Sequence, residues 1–223
     1  MIEPRLTDID RGEVLRYLGY RGGAVTPDVE ERLLGCESLL MHTAKPRAVW
    51  RVFNLLPDGS LAGCIYRPRG EDIRAVLRDC RQVILMAATL GTEAEALLRR
   101  AQARNMGDAV ILDAAGSAAI ETVCDNLCAD LAAHFAPRFL TDRFSPGYGD
   151  LPLADQADFF RALDVTRRIG VSLTDTNLMI PQKSVTALIG ISDTPQLRRT
   201  GCTDCNARES CALRKEGSRC GLF

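Results

Sequence analysis

Gln82-Val83-Ile84-Leu85-Met86-Ala87-Ala88-Thr89-Leu90-Gly91 is apolar at nearly every position and ends on a glycine. A strand with one wet face alternates apolar and polar side chains. An unbroken run expects cover on both faces, so this stretch reads as a buried central strand. On its N-terminal side, residues 71–80 read as a helix. Residues 48–66 are β-rich, with Pro57-Asp58-Gly59 as a turn between two strands. On its C-terminal side, residues 92–105 form an amphipathic helical pattern. Residues 107–135 read as one long, Ala-rich helix that stops near Pro137, its small residues suited to close packing. Residues 153–170 predict a helix ended by Gly170, and residues 171–192 two strand-like runs around Pro181. Nearer the start, Asp10 is placed to cap a short helix with Glu13 as its capping-box partner. Gly19-Tyr20-Arg21-Gly22-Gly23 ends it, and Thr26-Pro27 opens a second helix. There is no internal repeat and no low-complexity linker. Helices and strands mix without strict βαβ alternation, which predicts an α+β fold: a mixed or antiparallel twisted sheet packed with helices.

The 223 residues are enough for one large domain or two small ones. A formal net charge of -1 gives no general attraction to nucleic acid or to membranes. No stretch of 18 apolar residues predicts a membrane span, and the acidic start lacks the pattern of a signal peptide, so a cytoplasmic protein is expected. Nine cysteines in such a compartment are not expected to form structural disulfides. Cys36, Cys64, Cys80, Cys124 and Cys128 read as small core residues. His42 and His134 read as helix-end or surface residues. Neither a phosphate-binding loop nor a Ser-His-Asp arrangement is present.

The chemistry-bearing segment is Arg143-Phe144-Ser145-Pro146-Gly147-Tyr148-Gly149-Asp150. Arg143 offers a planar, permanently charged fork that matches a carboxylate. Pro146-Gly147 forces a turn, and glycine lets a ligand approach the backbone. Tyr148 adds a flat face and a hydroxyl. The set suits a small zwitterion carrying an aromatic ring. The same eight residues also suit a solvated loop whose arginine makes a surface ion pair.

The order of motifs around that segment resembles the reactivation (activation) domain of cobalamin-dependent methionine synthase, a module that binds S-adenosylmethionine (AdoMet). The family's Arg-x-Ala-Pro-Gly-Tyr is matched by Arg143 to Tyr148, with Ser145 in place of alanine. Its Gly-x-x-Leu-Thr-acidic-Ser run is matched by Gly170 to Thr176. Its Met-x-Pro and Ser-Val-Ser-Gly are matched at Met179–Pro181 and Ser184–Ala187. The resemblance spans roughly residues 110 to 192. It implies that Arg143 anchors the AdoMet carboxylate, that Ser145 and Gly147 present backbone groups, and that Tyr148 lines the pocket. Glu121 would pair with the ammonium or sulfonium. The family's N-terminal ligand-contacting aspartate and its tyrosine pair after the Ser-Val-Ser-Gly strand have no counterpart here.

Cys202, Cys205, Cys211 and Cys220 crowd the last residues with spacing C-x2-C-x5-C-x8-C. Four thiolates suit a tetrahedral Zn²⁺ or an iron-sulfur cluster, and the spacing does not separate the two. The expected organisation is an activation domain-like unit over residues 1–199 and a metal-binding tail over 200–223. The expected function is AdoMet-dependent reductive methylation of cob(II)alamin carried by a separate methionine synthase or other corrinoid protein. A flavodoxin- or ferredoxin-type donor would supply the electron. The alternative is an iron-sulfur electron-transfer or metal-stabilised scaffold protein that acts on a corrinoid protein without AdoMet.

Overall fold

A computed structural model describes residues 2–20, 22 and 24–196. Its centre is the strand read first. Cys80–Thr89 lies inside a four-stranded sheet with Arg47–Asn54, Ser184–Ser192 and Phe139–Leu140. Numbered along the chain with the short hairpin Ser172–Leu173 and Met179–Ile180, these are β1 to β6. The sheet order is β1-β2-β6-β3 and every pairing is antiparallel.

The apolar run of β2 has the expected cause. Ile84, Met86 and Ala88 enter one core, while Val83, Leu85 and Ala87 enter the other. Successive strand residues face opposite ways, so a strand covered on both sides needs apolar residues throughout. The first core is closed by α1 (Arg11–Tyr17), α2 (Pro27–Thr43), α4 (Thr92–Arg104) and α5 (Met106–Phe135). The second is closed by α3 (Glu71–Leu77), α6 (Gln156–Leu163) and α7 (Val165–Ile169). The predicted α+β class is correct, as three layers with the sheet in the middle.

Helix ends follow local chemistry. Asp10 accepts hydrogen bonds from the Gly12 and Glu13 amides, at 2.7 and 3.2 Å. Glu13 turns to Arg16 (3.0 Å) instead of completing the capping box. Gly19, at φ 80, ends α1: the Gly19 amide donates to Arg16 and the Tyr20 amide to Leu15, the paired bonds of a Schellman cap. Pro27 opens α2 as expected, but the Thr26 side chain makes no capping bond. Asn105 both ends α4 and caps α5.

Two expectations need correction. The turn at Pro57–Gly59 forms, yet the second strand does not. Only a bridge between Leu55 and Leu61 follows, because Gly63 at φ 68 turns the chain off the ladder. The helix expected over 153–170 is broken. A 3-10 turn at Leu153–Asp155 leads into α6, and Asp164 in the left-handed region (φ 55) separates α6 from α7. Aspartate tolerates that geometry, and the break lets Leu163 and Val165 on either side of it both be buried.

Candidate functional site

The site sits at the β3 edge of the sheet, where the chain keeps pairing with β6 beyond Leu140. The Thr141 amide donates to Gly190, and Phe144 exchanges two backbone bonds with Leu188, at 2.9 and 2.8 Å. Phe144 packs into the second core. Alternation along this edge therefore turns Arg143 the other way, toward α5. Its Nη2 reaches Glu121 Oε2 at 2.7 Å, and its Nη1 reaches Asp125 Oδ1 at 2.9 Å. Nη1 also lies 3.8 Å from Cys128 Sγ. Glu121, Asp125 and Cys128 are spaced i, i+4, i+7, so one face of α5 presents all three.

The Arg143 side chain is only 20% exposed. Burial opposes its charge, but the thiols and carboxylates around it more than restore it, so the guanidinium is held charged more firmly than usual. Burial pushes the Glu121 carboxyl up; Arg143 pulls against that shift and Asp125 reinforces it. One guanidinium faces two carboxylates, so this wall carries one negative charge in excess.

Ser145 to Tyr148 form a type II turn. Pro146 occupies the second position and Gly147 the third at φ 93, with the Tyr148 amide donating to the Ser145 carbonyl at 3.1 Å. The Gly147 amide donates to the Leu151 carbonyl at 2.9 Å. The Ser145 carbonyl and the Gly147 amide are therefore engaged within the turn. Tyr148 stands 46% exposed. Partial burial raises its phenol pKa, and the neighbouring Glu121 and Tyr17 add to the shift. Asp150 has a role that sequence reading did not suggest. Its carboxylate accepts from the Glu71 and Asp72 amides, at 2.6 and 3.2 Å, and caps α3 from a distance.

Sequence reasoning also missed the rest of the α5 surface. Asp113, Ser117, Glu121 and Asp125 form a single i+4 ridge. Lys183 Nζ binds the first two, at 2.8 Å to Asp113 and 2.8 Å to Ser117, and its stem lies across Gly116. The spacing from Glu121 is the signal that could have found Asp125. Nothing in the sequence brings Lys183 to Ser117.

The five cysteines within the described residues are free thiols. Cys36, Cys80 and Cys124 are buried, and burial pushes Cys80 up to about 11. His42 and His134 both lie in last helical turns, as expected; His134 packs edge-on to Trp50. Among the described residues no group of three or more His, Cys, Asp or Glu is placed to hold a metal, and no helix is long and apolar enough to cross a membrane. Cys202, Cys205, Cys211 and Cys220 lie outside the described residues.

Residues 125–215 match the family model "Vitamin B12 dependent methionine synthase, activation domain". The structure is similar to the crystal structure of the MetH reactivation domain bound to AdoHcy. The TM-score is 0.61 at 15% identity, covering 94% of this chain and 82% of that one. No curated protein sequence matches the chain. The resemblance read from the motifs is therefore upheld by two independent comparisons. Arg143, Ser145, Gly147 and Tyr148 fall inside the matched span, and Glu121 lies just before it.

Proposed function

We propose that this protein binds AdoMet at the Arg143 wall and presents its methyl group to the cobalt of a corrinoid protein. The observation that carries this reading is the Arg143–Glu121–Asp125 cluster beside the Ser145–Tyr148 turn, on a fold whose solved relative is bound to AdoHcy. The Arg143 fork suits the ligand carboxylate. Glu121 and Asp125 suit the ammonium and the sulfonium. The excess negative charge favours a ligand of net charge +1, which AdoMet is and AdoHcy is not.

The partner is the cobalamin-binding domain of a methionine synthase or another corrinoid protein. The donor's sulfonium–methyl bond breaks as the cobalt–methyl bond forms, and a flavodoxin- or ferredoxin-type donor supplies the electron that cob(II)alamin needs. The protein contributes positioning, holding the methyl in line with the metal. Cys202, Cys205, Cys211 and Cys220 would hold a zinc ion or an iron-sulfur cluster, with iron favoured because it could relay that electron. Iron and sulfide analysis after anaerobic purification tests the cluster, and zinc alone would remove it.

The functional test supplies a corrinoid methionine synthase lacking its own activation domain with a one-electron reductant, AdoMet and this protein. Methylcobalamin formation, read by absorbance, should require both AdoMet and this chain. Formation that is no faster with the chain present would overturn the proposal.

A second reading retains the fold without AdoMet binding. It is favoured by the engagement of Arg143 with two carboxylates of its own chain. The same assay separates the two readings.

A further inference from the structure

A groove of about 770 Å³ runs between α2 and α4, with the first turns of α5 completing its lining. None of its lining residues belongs to the Arg143 wall. The two helices run antiparallel. At one end, Arg32 of α2 donates to Asn105, which ends α4, at 3.2 Å. At the other, the Lys45 amide just past α2 donates to the Leu90 carbonyl just before α4, at 2.8 Å. Each helix turns one face to the groove: Asp28, Glu31 and Leu39 from α2, and Leu97, Arg100 and Arg104 from α4. Both sets fall on the three- and four-residue steps of a helix face.

The groove has a charged end and an apolar end. At the charged end, α2 supplies an acidic rim and α4 a basic one, and Asp28, Glu31, Arg100 and Arg104 are all exposed. Arg32 is already paired with Asp108, at 2.6 Å, while those four make no ion pair among the described residues. At the apolar end Leu39 is 49% exposed and shares the groove with Leu97. The small residues Gly35 and Ala101 lie between the rims and leave a trough that another helix can enter.

A second copy of this chain has the matching chemistry, because a two-fold interface sets one surface against itself. With the axis running along the groove, each α2 lies over the partner's α4. The acidic rim then meets the basic rim twice, and the apolar ends meet each other. An axis across the groove would set α2 over α2 and the charged end over the apolar one, leaving the charges unmatched. We propose that two copies pair through this groove, stacking α2 and α4 of each into a four-helix interface in which neighbouring helices are antiparallel.

The test is sedimentation equilibrium of the full chain over a range of concentrations, with reductant present to keep the cysteines reduced. The wild type should fit a monomer–dimer exchange that added salt weakens. Arg100→Glu with Arg104→Glu makes both rims acidic, and Asp28→Lys with Glu31→Lys makes both basic. Each double variant alone should dimerise at least about tenfold more weakly, because like charges then face each other. An equimolar mixture of the two should recover a dimer, since acidic rims again meet basic ones, and that recovery also shows that both variants fold. Leu39→Glu, at an exposed position, should weaken the dimer from the apolar end, with a thermal melt to check its fold. A wild-type chain that stays monomeric would overturn the proposal and leave the groove to a helix of another protein. A dimer that ignores both charge reversals and Leu39→Glu would overturn it too, as would two folded double variants that fail to pair when mixed.

Discussion

Glu121 is the residue whose ionisation the account uses most directly. Burial holds its pKa above the ordinary glutamate value, so in the ligand-free protein its stabilising contribution is complete below the unfolded-state pKa. That contribution is lost as pH rises through the folded-state value. Ligand binding runs the other way, because a cationic ligand needs the carboxylate. AdoMet affinity should fall with acidification through the raised Glu121 pKa, and Glu121→Gln should both weaken binding and flatten that part of the pH profile. Titrations at several pH values check it; an equal slope in wild type and variant would reject this role. Glu121→Gln should also cost AdoMet more than AdoHcy, since only AdoMet carries the sulfonium charge. Gly147 gives a second test at this scale. At φ 93 a side chain is strained, and a new Cβ would meet Leu153 at 3.4 Å. Gly147→Ala should destabilise by about 1–2 kcal/mol in urea unfolding and weaken AdoMet binding by distorting the turn.

At the scale of elements, the α3 cap ties the candidate site to the second layer. Gly70 precedes α3 at φ 126 and has no side chain to cap it, so Asp150 does so, from a position two residues past Tyr148. Asp150→Ala should cost about 0.5–2 kcal/mol of unfolding free energy. Gly70→Ala should cost more, because its Cβ would fall 2.2 Å from Asp150 Oδ1. The elements with strong periodicity or strong caps were legible in the sequence: β2, α1, α4 and α5 stand where pattern places them. The second strand after Gly59 was not, because β-rich composition cannot show that Gly63 leaves the ladder. The break at Asp164 was hidden for a similar reason. A helical pattern on both sides of one left-handed residue reads as a single helix.

At the scale of the whole molecule, two cores on one sheet make contacts between distant segments decisive. Asp155 is fully buried and pairs with the exposed Arg69, joining the 60s loop to the start of α6. Arg69→Ala would strand that carboxylate. It should lower stability, measured by denaturant unfolding, although Arg69 itself lies on the surface. Such pairings explain which parts of the site the sequence could reveal. Arg143, Gly147 and Tyr148 are contiguous and carry their turn chemistry with them. Asp113 and Lys183 meet only because β6 and α5 pack side by side, and no local spacing records that meeting.

The most direct test of the central claim is calorimetric titration of AdoMet into anaerobically purified protein, with Arg143→Ala and Arg143→Lys beside it. Truncating a partly buried charged partner should cost about 2–5 kcal/mol, well over tenfold in affinity. Lysine should recover only part of that, since it keeps the charge and loses the fork. Saturable wild-type binding that collapses in Arg143→Ala is the predicted result. Wild-type protein that binds no AdoMet, or binding that ignores Arg143 in both variants, would contradict the account.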